Sequence, residues 1–203
     1  MAFPHHPTTC NLKLYLYIFL GSALLTFSSP IFSQSGEELL SQLFSKMSSL
    51  ESIRANVSIN GTSGLLSYKH PHNLYLKLSD GRIISANGRF LWFYNPARAI
   101  AGKQDLKGST GGLRGLLSGY ETVTASGKVI KLQSEKKTYE EIIVSLSPDN
   151  VLKSIRMKRR GDSDYYEISL SGVQTDIGLP ASIFNYHPPS SAQIVENPLN
   201  QRE

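Results

Sequence analysis

"KHPH", Lys69 to His72, sets His70 and His72 two residues apart, close enough in sequence to suggest a shared metal ion. The spacing in an extended segment is a weak signal, and no acidic residue lies nearby to complete a site. Surface histidines are the simpler reading, and no metal is expected. Nucleophilic chemistry has no better support. No serine sits in G-x-S-x-G. There is no G-x-x-x-x-G-K-[ST], and the glycines from Gly108 to Gly115 do not lead from a strand into a helix as a dinucleotide fingerprint would. Cys10 is the single cysteine, so the rest of the chain has no disulfide framework, thiol nucleophile or thiolate metal site. These residues point to a protein that is not an enzyme and needs no cofactor.

The charged residues are similarly undemanding. Formal net charge is +5 over 203 residues, a mild excess that fits an anionic partner or a membrane surface better than it argues for nucleic acid. Lys153, Arg156, Lys158, Arg159 and Arg160 form a basic group. It is most simply a solvated strand and turn, with a membrane or acidic-partner patch as the alternative.

The N-terminus resembles an export signal. Lys13 precedes the apolar run "LYLYIFLGSALLTF", Leu14 to Phe27, and small residues follow in "SSPIFSQS". Cleavage is expected after Ser33, with Ser35 as the alternative site, so residues 1–33 would be the signal peptide and residues 34–203 one domain. An uncleaved anchor is the competing reading, since the run is not much short of a membrane span. Because Cys10 precedes the run, it is not a lipid-attachment cysteine. The N-x-[ST] matches at Asn56 and Asn60 carry no weight in a chain read as an exported bacterial protein.

The elements that follow are a helix and then strands. "SGEELLSQLFSKMSSL" opens with Ser35 and Glu38 spaced as a capping box. Leu39, Leu40, Leu43, Phe44, Met47 and Leu50 then follow a helical stripe. From Ile53 the period becomes two, in "SIRANVSI", "LYLKLS", "RIISA" and "RFLWFYNP", and later in "KVIKLQ", "YEEIIVSLS", "VLKSIRMKR" and "DYYEISLS". Turn residues such as Asn60-Gly61, Asp80-Gly81 and Asn87-Gly88 separate them, which predicts an antiparallel meander. The segment Gly102 to Tyr120 breaks the rhythm. Leu113, Leu116 and Leu117 have helical spacing, but five glycines surround them, each costing about 1 kcal/mol inside a helix. A surface loop with a short helix and a movable apolar flap are both consistent with it.

"RFLWFYNP" raises a question of its own. In a strand, Phe90, Trp92 and Tyr94 face one way and Leu91 and Phe93 the other, leaving neither side polar. Something must cover both faces, either protein or ligand. All five belonging simply to the core is the plain alternative.

"ANGRFLWFYNP", Ala86 to Pro96, resembles the S-D-G-x-x-L-W-F-Y-N-P signature of the LolA family, periplasmic carriers of outer-membrane lipoproteins. "FNYHPPSSAQI", Phe184 to Ile194, resembles that family's closing F-x-F-x-P-P-x-G-x-x-V, with Ser191 at the glycine. The resemblance runs from about Gly36 to Ile194. It implies a mainly β fold with α: an incomplete, strongly curved antiparallel β-barrel covered by a helical lid, with an apolar cavity between them. It implies an acyl-chain cavity and lid drawn from Leu39, Leu43, Phe44, Met47, Phe90, Trp92, Tyr94, Leu113, Leu116 and Leu117. It also implies a monomer in the periplasm, carrying lipoprotein acyl chains from an ATP-driven inner-membrane complex to an outer-membrane acceptor. A periplasmic lipid- or lipoprotein-binding sensor of the same fold is the alternative. Two positions depart from the pattern. His70-Pro71 stands where the family has Arg-Pro, making His70 the candidate lid latch, and Ala86-Asn87-Gly88 replaces S-D-G.

Overall fold

The computed structural model describes residues 34–107 and 112–200. The expected signal peptide and its cleavage site after Ser33, and the flap glycines Gly108 and Gly111, lie outside the described residues. Helix α1, Gly36–Ser49, begins where its capping residue places it. Ser35 is extended, and its Oγ accepts from the Glu38 amide at 3.1 Å. That bond satisfies one of the amides the first turn leaves unpaired. Leu39, Leu40 and Leu43 form the buried stripe of the helix.

Twelve strands follow among the described residues. Six come before the flap: β1 Ser52–Ile59, β2 Thr62–Lys69, β3 Asn73–Leu78, β4 Ile83–Asn87, β5 Phe90–Asn95 and β6 Ile100–Asp105. The short helix α2, Gly112–Leu117, is followed by β7 Thr122–Ser126, β8 Val129–Gln133, β9 Tyr139–Leu146, β10 Leu152–Arg159 and β11 Tyr165–Thr175. The last strand, β12 Gln193–Glu196, lies near the end of the chain. Asn60 and Gly61 both take positive φ, 46° and 84°, as a hairpin turn that follows strand twist requires.

All twelve join one sheet in the order β12-β6-β5-β4-β3-β2-β1-β11-β10-β9-β8-β7. Its edges are β12 and β7, so it does not close on itself. The fold is mainly β with few helices, an open curved sheet carrying a helical layer. Two features depart from a plain meander. β1 pairs with β11 across most of the chain, and β12 pairs with β6 in parallel. The expected loop from Gly102 is also shorter, because β6 runs on to Asp105 before the flap begins.

The register sorts side chains onto two faces. On one face, Ile59, Ile168, Ile155, Val144 and Ile130 stand side by side across five strands. The row Ala55, Leu66, Leu76, Ile84, Phe93 and Gly102 continues that face from β1 to β6. On the opposite face, Arg54, Ser67, Tyr75, Ser85, Trp92 and Lys103 make the matching row.

Candidate functional site

The helices lie on the apolar face. Leu39, Leu40 and Leu43 from α1 and Leu117 from α2 pack with Ile130, Leu132, Ile142, Val144, Ile155 and Met157 in one buried cluster. Phe44, Met47, Leu113 and Leu116 pack around it. The flap's glycines do not prevent α2 from docking, because Leu117 is only 1% exposed and supplies the burial that α2 could not gain alone. The Arg114 guanidinium lies 4.5 Å from the centre of the Phe44 ring, a cation–π contact between the two helices. Gly36 fits tightly beneath this layer. A Cβ there would stand 2.8 Å from the backbone of Val123 and Thr124.

The helices cover only the β7–β10 end of the apolar face. A second buried cluster, Val57, Ile59, Leu76 and Leu78, carries it onward with Leu66, Leu74 and Ile84 half-buried around it. Ile168 packs against both clusters, so the apolar surface is continuous. Leu91 and Phe93 extend it to β5. At the β6 end the chain returns over the sheet. The Leu199 amide donates to Gln104 Oε1 at 3.1 Å, and Pro198 lies against Gly102.

Seven of the ten residues expected at an acyl-chain site are thus brought together: Leu39, Leu43, Phe44, Met47, Leu113, Leu116 and Leu117. Phe90, Trp92 and Tyr94 are not among them. The pleat that turns Leu91 and Phe93 toward the apolar face turns these three to the other side. There the chain covers itself. Ser52 Oγ donates to the Ile177 carbonyl at 2.7 Å and Lys69 Nζ to the Leu179 carbonyl at 3.4 Å, laying residues 177–187 across β1–β5 as a strap. Leu179 and Phe184 are buried in it, and Ser67 and Ser85 are buried on the covered face. Tyr186 contacts both Tyr75 and Trp92, each with ring centroids 6.4 Å apart. Its hydroxyl is buried without a partner, and burial, with Tyr94 and Tyr75 adding to it, pushes its pKa up to about 12. Both faces of "RFLWFYNP" are therefore accounted for, one by the strap and the other by the apolar side of the sheet.

The remaining candidates sit apart from this layer. His70 and His72 are exposed in the β2–β3 turn, and among the described residues no group of three metal-ligating side chains gathers there or elsewhere. The His70 amide donates to the Glu51 carbonyl at 2.8 Å, which ties the turn to the chain just beyond α1. Most of the basic group is already engaged. Lys158 pairs with Glu140 at 2.9 Å, Arg156 lies over Tyr165, and Arg160 donates to the Ser134 carbonyl. The sequence reading left open whether Leu91 and Phe93 or Phe90, Trp92 and Tyr94 face inward, and it missed Leu66 and Ile84 as members of the same surface as Phe93. Their signal was the pair of tight turns at Asp80-Gly81 and Asn87-Gly88, which sets the β3–β4–β5 register.

No known family model matches the chain. Two curated relatives do, both named outer-membrane lipoprotein carrier protein. That of Legionella pneumophila (strain Lens) is 25% identical over 198 residues, covering 85% of this chain and 96% of the relative. That of strain Paris is 25% identical over 209 residues, covering 91% and 98%. The chain is similar to outer-membrane lipoprotein carrier proteins over most of its length. The likeness covers most of this chain and nearly all of each relative. A solved structure, an uncharacterized conserved protein from Thermus thermophilus, shares the fold of this chain with a TM-score of 0.53 at 9% identity. It covers 79% of this chain and 98% of its own length. Both relatives are named as carrier proteins. Among its described residues, no helix is long and apolar enough to cross a membrane.

Proposed function

We propose that this protein binds the acyl chains of lipoproteins and carries them through the periplasm between the inner and the outer membrane. The observation that supports this best is the apolar face itself. It is roofed by α1 and α2 at one end and continues beyond them as the half-buried Leu66, Leu74, Ile84, Leu91 and Phe93. An acyl chain sliding between roof and sheet would replace contacts that the flap now makes. Leu39, Leu43, Phe44, Met47, Leu113, Leu116 and Leu117 would form the roof of that site. The names of the two Legionella relatives support the same cargo.

A carrier is needed because release into water is too costly. A sixteen-carbon chain holds roughly 15 CH₂ and CH₃ groups at about 0.8 kcal/mol each, on the order of 12 kcal/mol per chain. Cargo must then pass directly from one apolar site to another, with loading at an ATP-driven inner-membrane complex and delivery to an outer-membrane acceptor. Export would follow from residues 1–33 as a signal peptide, leaving residues 34–203 as the carrier domain and removing Lys13, so that 20 basic residues face 16 acidic ones.

The test is to express the full chain in a bacterial periplasm, purify it without detergent and identify what accompanies it by mass spectrometry. Acylated protein in stoichiometric amount, together with a mature N-terminus at Gln34, is the expected result. A chain that carries no acylated protein and takes up no lipopeptide in vitro would overturn the reading.

A further inference from the structure

A pocket of about 520 Å³ opens beside the C-terminal end of α1, at the turn between β9 and β10. Its volume is within the range usual for small-molecule sites, about 300–1,000 Å³. Its apolar wall includes Leu152, Leu170 and Val173. These three do not belong to one patch. Leu152 packs on the cluster beneath the helices, Leu170 on both of the other clusters, and Val173 on the cluster of Leu50, Ile53 and Ala55. The apolar wall of the pocket therefore touches all three of the apolar clusters, which is where a chain entering between helix and sheet would meet apolar surface.

The rim has a different character. Lys46, from the last turn of α1, and Lys153, from β10, both line the pocket, and among the described residues neither ammonium has an ion-pair partner. A third cation stands close behind them. Lys128 Nζ donates to Asn150 Oδ1 at 2.6 Å, and Asn150, another lining residue, donates in turn to Gln42 Oε1 at 2.9 Å. Asp149 is the only acid in the lining, and it is exposed. The Ser147 hydroxyl accepts from the Val151 amide, which leaves its proton free to be donated into the pocket. An apolar wall of Leu152, Leu170 and Val173 beside a polar rim with two ammonium groups that have no ion-pair partner and a hydroxyl donor matches an amphiphile with one anionic end.

We propose that this pocket is the mouth of the acyl-chain site and that it takes long-chain amphiphiles with an anionic head, a carboxylate or a phosphate, held by Lys46 and Lys153. The inference rests on the acyl-binding reading above and adds a head-group preference to it. Lys128 holds the Asn150 side chain in place and strengthens the positive field at the rim.

The experiment uses the mature chain stripped of lipid, with binding followed at low salt by native mass spectrometry and by displacement of a fluorescent fatty acid. The probes are palmitate, its uncharged glycerol ester and phosphatidylglycerol. Palmitate or phosphatidylglycerol should bind about tenfold more tightly than the uncharged ester, the scale expected of two partly exposed ion pairs. The preference should shrink in concentrated salt. Which anionic probe binds better identifies the head as carboxylate or phosphate. In the K46Q/K153Q double variant, the preference should fall to within about twofold while binding of the uncharged ester stays at the wild-type level. Both substitutions are at partly or fully exposed positions, and an unchanged far-UV spectrum checks the fold. Equal binding of charged and uncharged probes by the wild type would overturn this inference and leave the carrier reading standing. A preference that survives in the double variant would also overturn it, since the selecting charge would then lie elsewhere. Failure to bind any acyl probe would overturn both readings.

Discussion

Trp92 and Tyr186 meet edge to face, with ring centroids 6.4 Å apart and planes inclined at 73°. Residues almost a hundred positions apart are joined there because β5 turns Trp92 away from the helices and the strap brings Tyr186 over it. The only tryptophan of the chain therefore reports on the strap. Tyr186→Ala should shift Trp92 emission to longer wavelength in the absence of any ligand, as water reaches the indole. Adding an acyl ligand to the wild type should leave that emission nearly unchanged. A saturable shift on adding lipid would show that the acyl chain reaches the strap side of the sheet.

Tyr186 also predicts an alkaline effect. Burial pushes its pKa up to about 12, from the ordinary value near 10. The neutral form is the one the fold favours, so this contribution is fully present below about pH 10 and is lost as pH rises from about 10 to 12. Tyr186→Phe should flatten that part of the stability curve. At neutral pH the variant should be at least as stable as the wild type, since it removes a buried hydroxyl without a partner. Urea denaturation at pH 7 and pH 11 measures both outcomes, and a parallel loss in the two proteins would refute the assignment.

Gly36→Ala tests how closely α1 sits on β7. The added Cβ would stand 2.8 Å from the Val123 and Thr124 backbone, which cannot yield as a flexible side chain could. Overpacking of this kind costs about 1–3 kcal/mol, despite alanine's better helix propensity. Leu43→Ala, at a position with 0% exposure, should cost about 2–5 kcal/mol through the cavity it leaves. Urea midpoints read both, and an alanine at position 36 that stabilises the protein would mean the helix is docked less tightly than described.

Glu141 gives an acid counterpart. Burial works to raise its pKa, but hydrogen bonds from Lys131 and Tyr165 outweigh it, with Gln133 adding a third, and hold the carboxyl below the usual range. A depressed value stabilises the fold above the unfolded pKa of about 4.3, and that contribution disappears as pH falls through the folded value. Glu141→Gln should show a shallower acid limb than the wild type in thermal melts between pH 6 and pH 3. Superimposable limbs would show that the carboxylate contributes nothing to acid stability.

His70 is the place to test control of the lid. It stands exposed in the β2–β3 turn, tied through its amide to the exit from α1. An arginine offers a permanently charged, rigid fork of donors that an imidazole lacks. His70→Arg should slow the departure of a labelled lipopeptide several-fold while leaving the urea midpoint within about 0.5 kcal/mol, as expected for an exposed site. Equal release rates in the two proteins would make His70 a bystander.

Local chemistry was legible in the sequence wherever one short segment sufficed to decide it. The Ser35 cap, the leucine stripe of α1, the Asn60-Gly61 hairpin and the alternation of β3 each follow from spacing over fewer than fifteen residues. Strands with mixed or small side chains were harder. β2 carries two adjacent leucines and β6 an Ala-Gly pair, so neither shows a clean period of two. The faces of β5 could not be assigned from its own residues at all, because five large side chains in a row satisfy either orientation. That choice depended on register through β4, which pairs Ile84 with Phe93 and Ser85 with Trp92, and on a strap that arrives from the far end of the chain to cover the second set. Lys46 and Lys153 are more than a hundred positions apart, and no local pattern links them. Only the pairing of β1 with β11, which draws the two halves of the chain into one sheet, brings the end of α1 and the start of β10 to the same pocket.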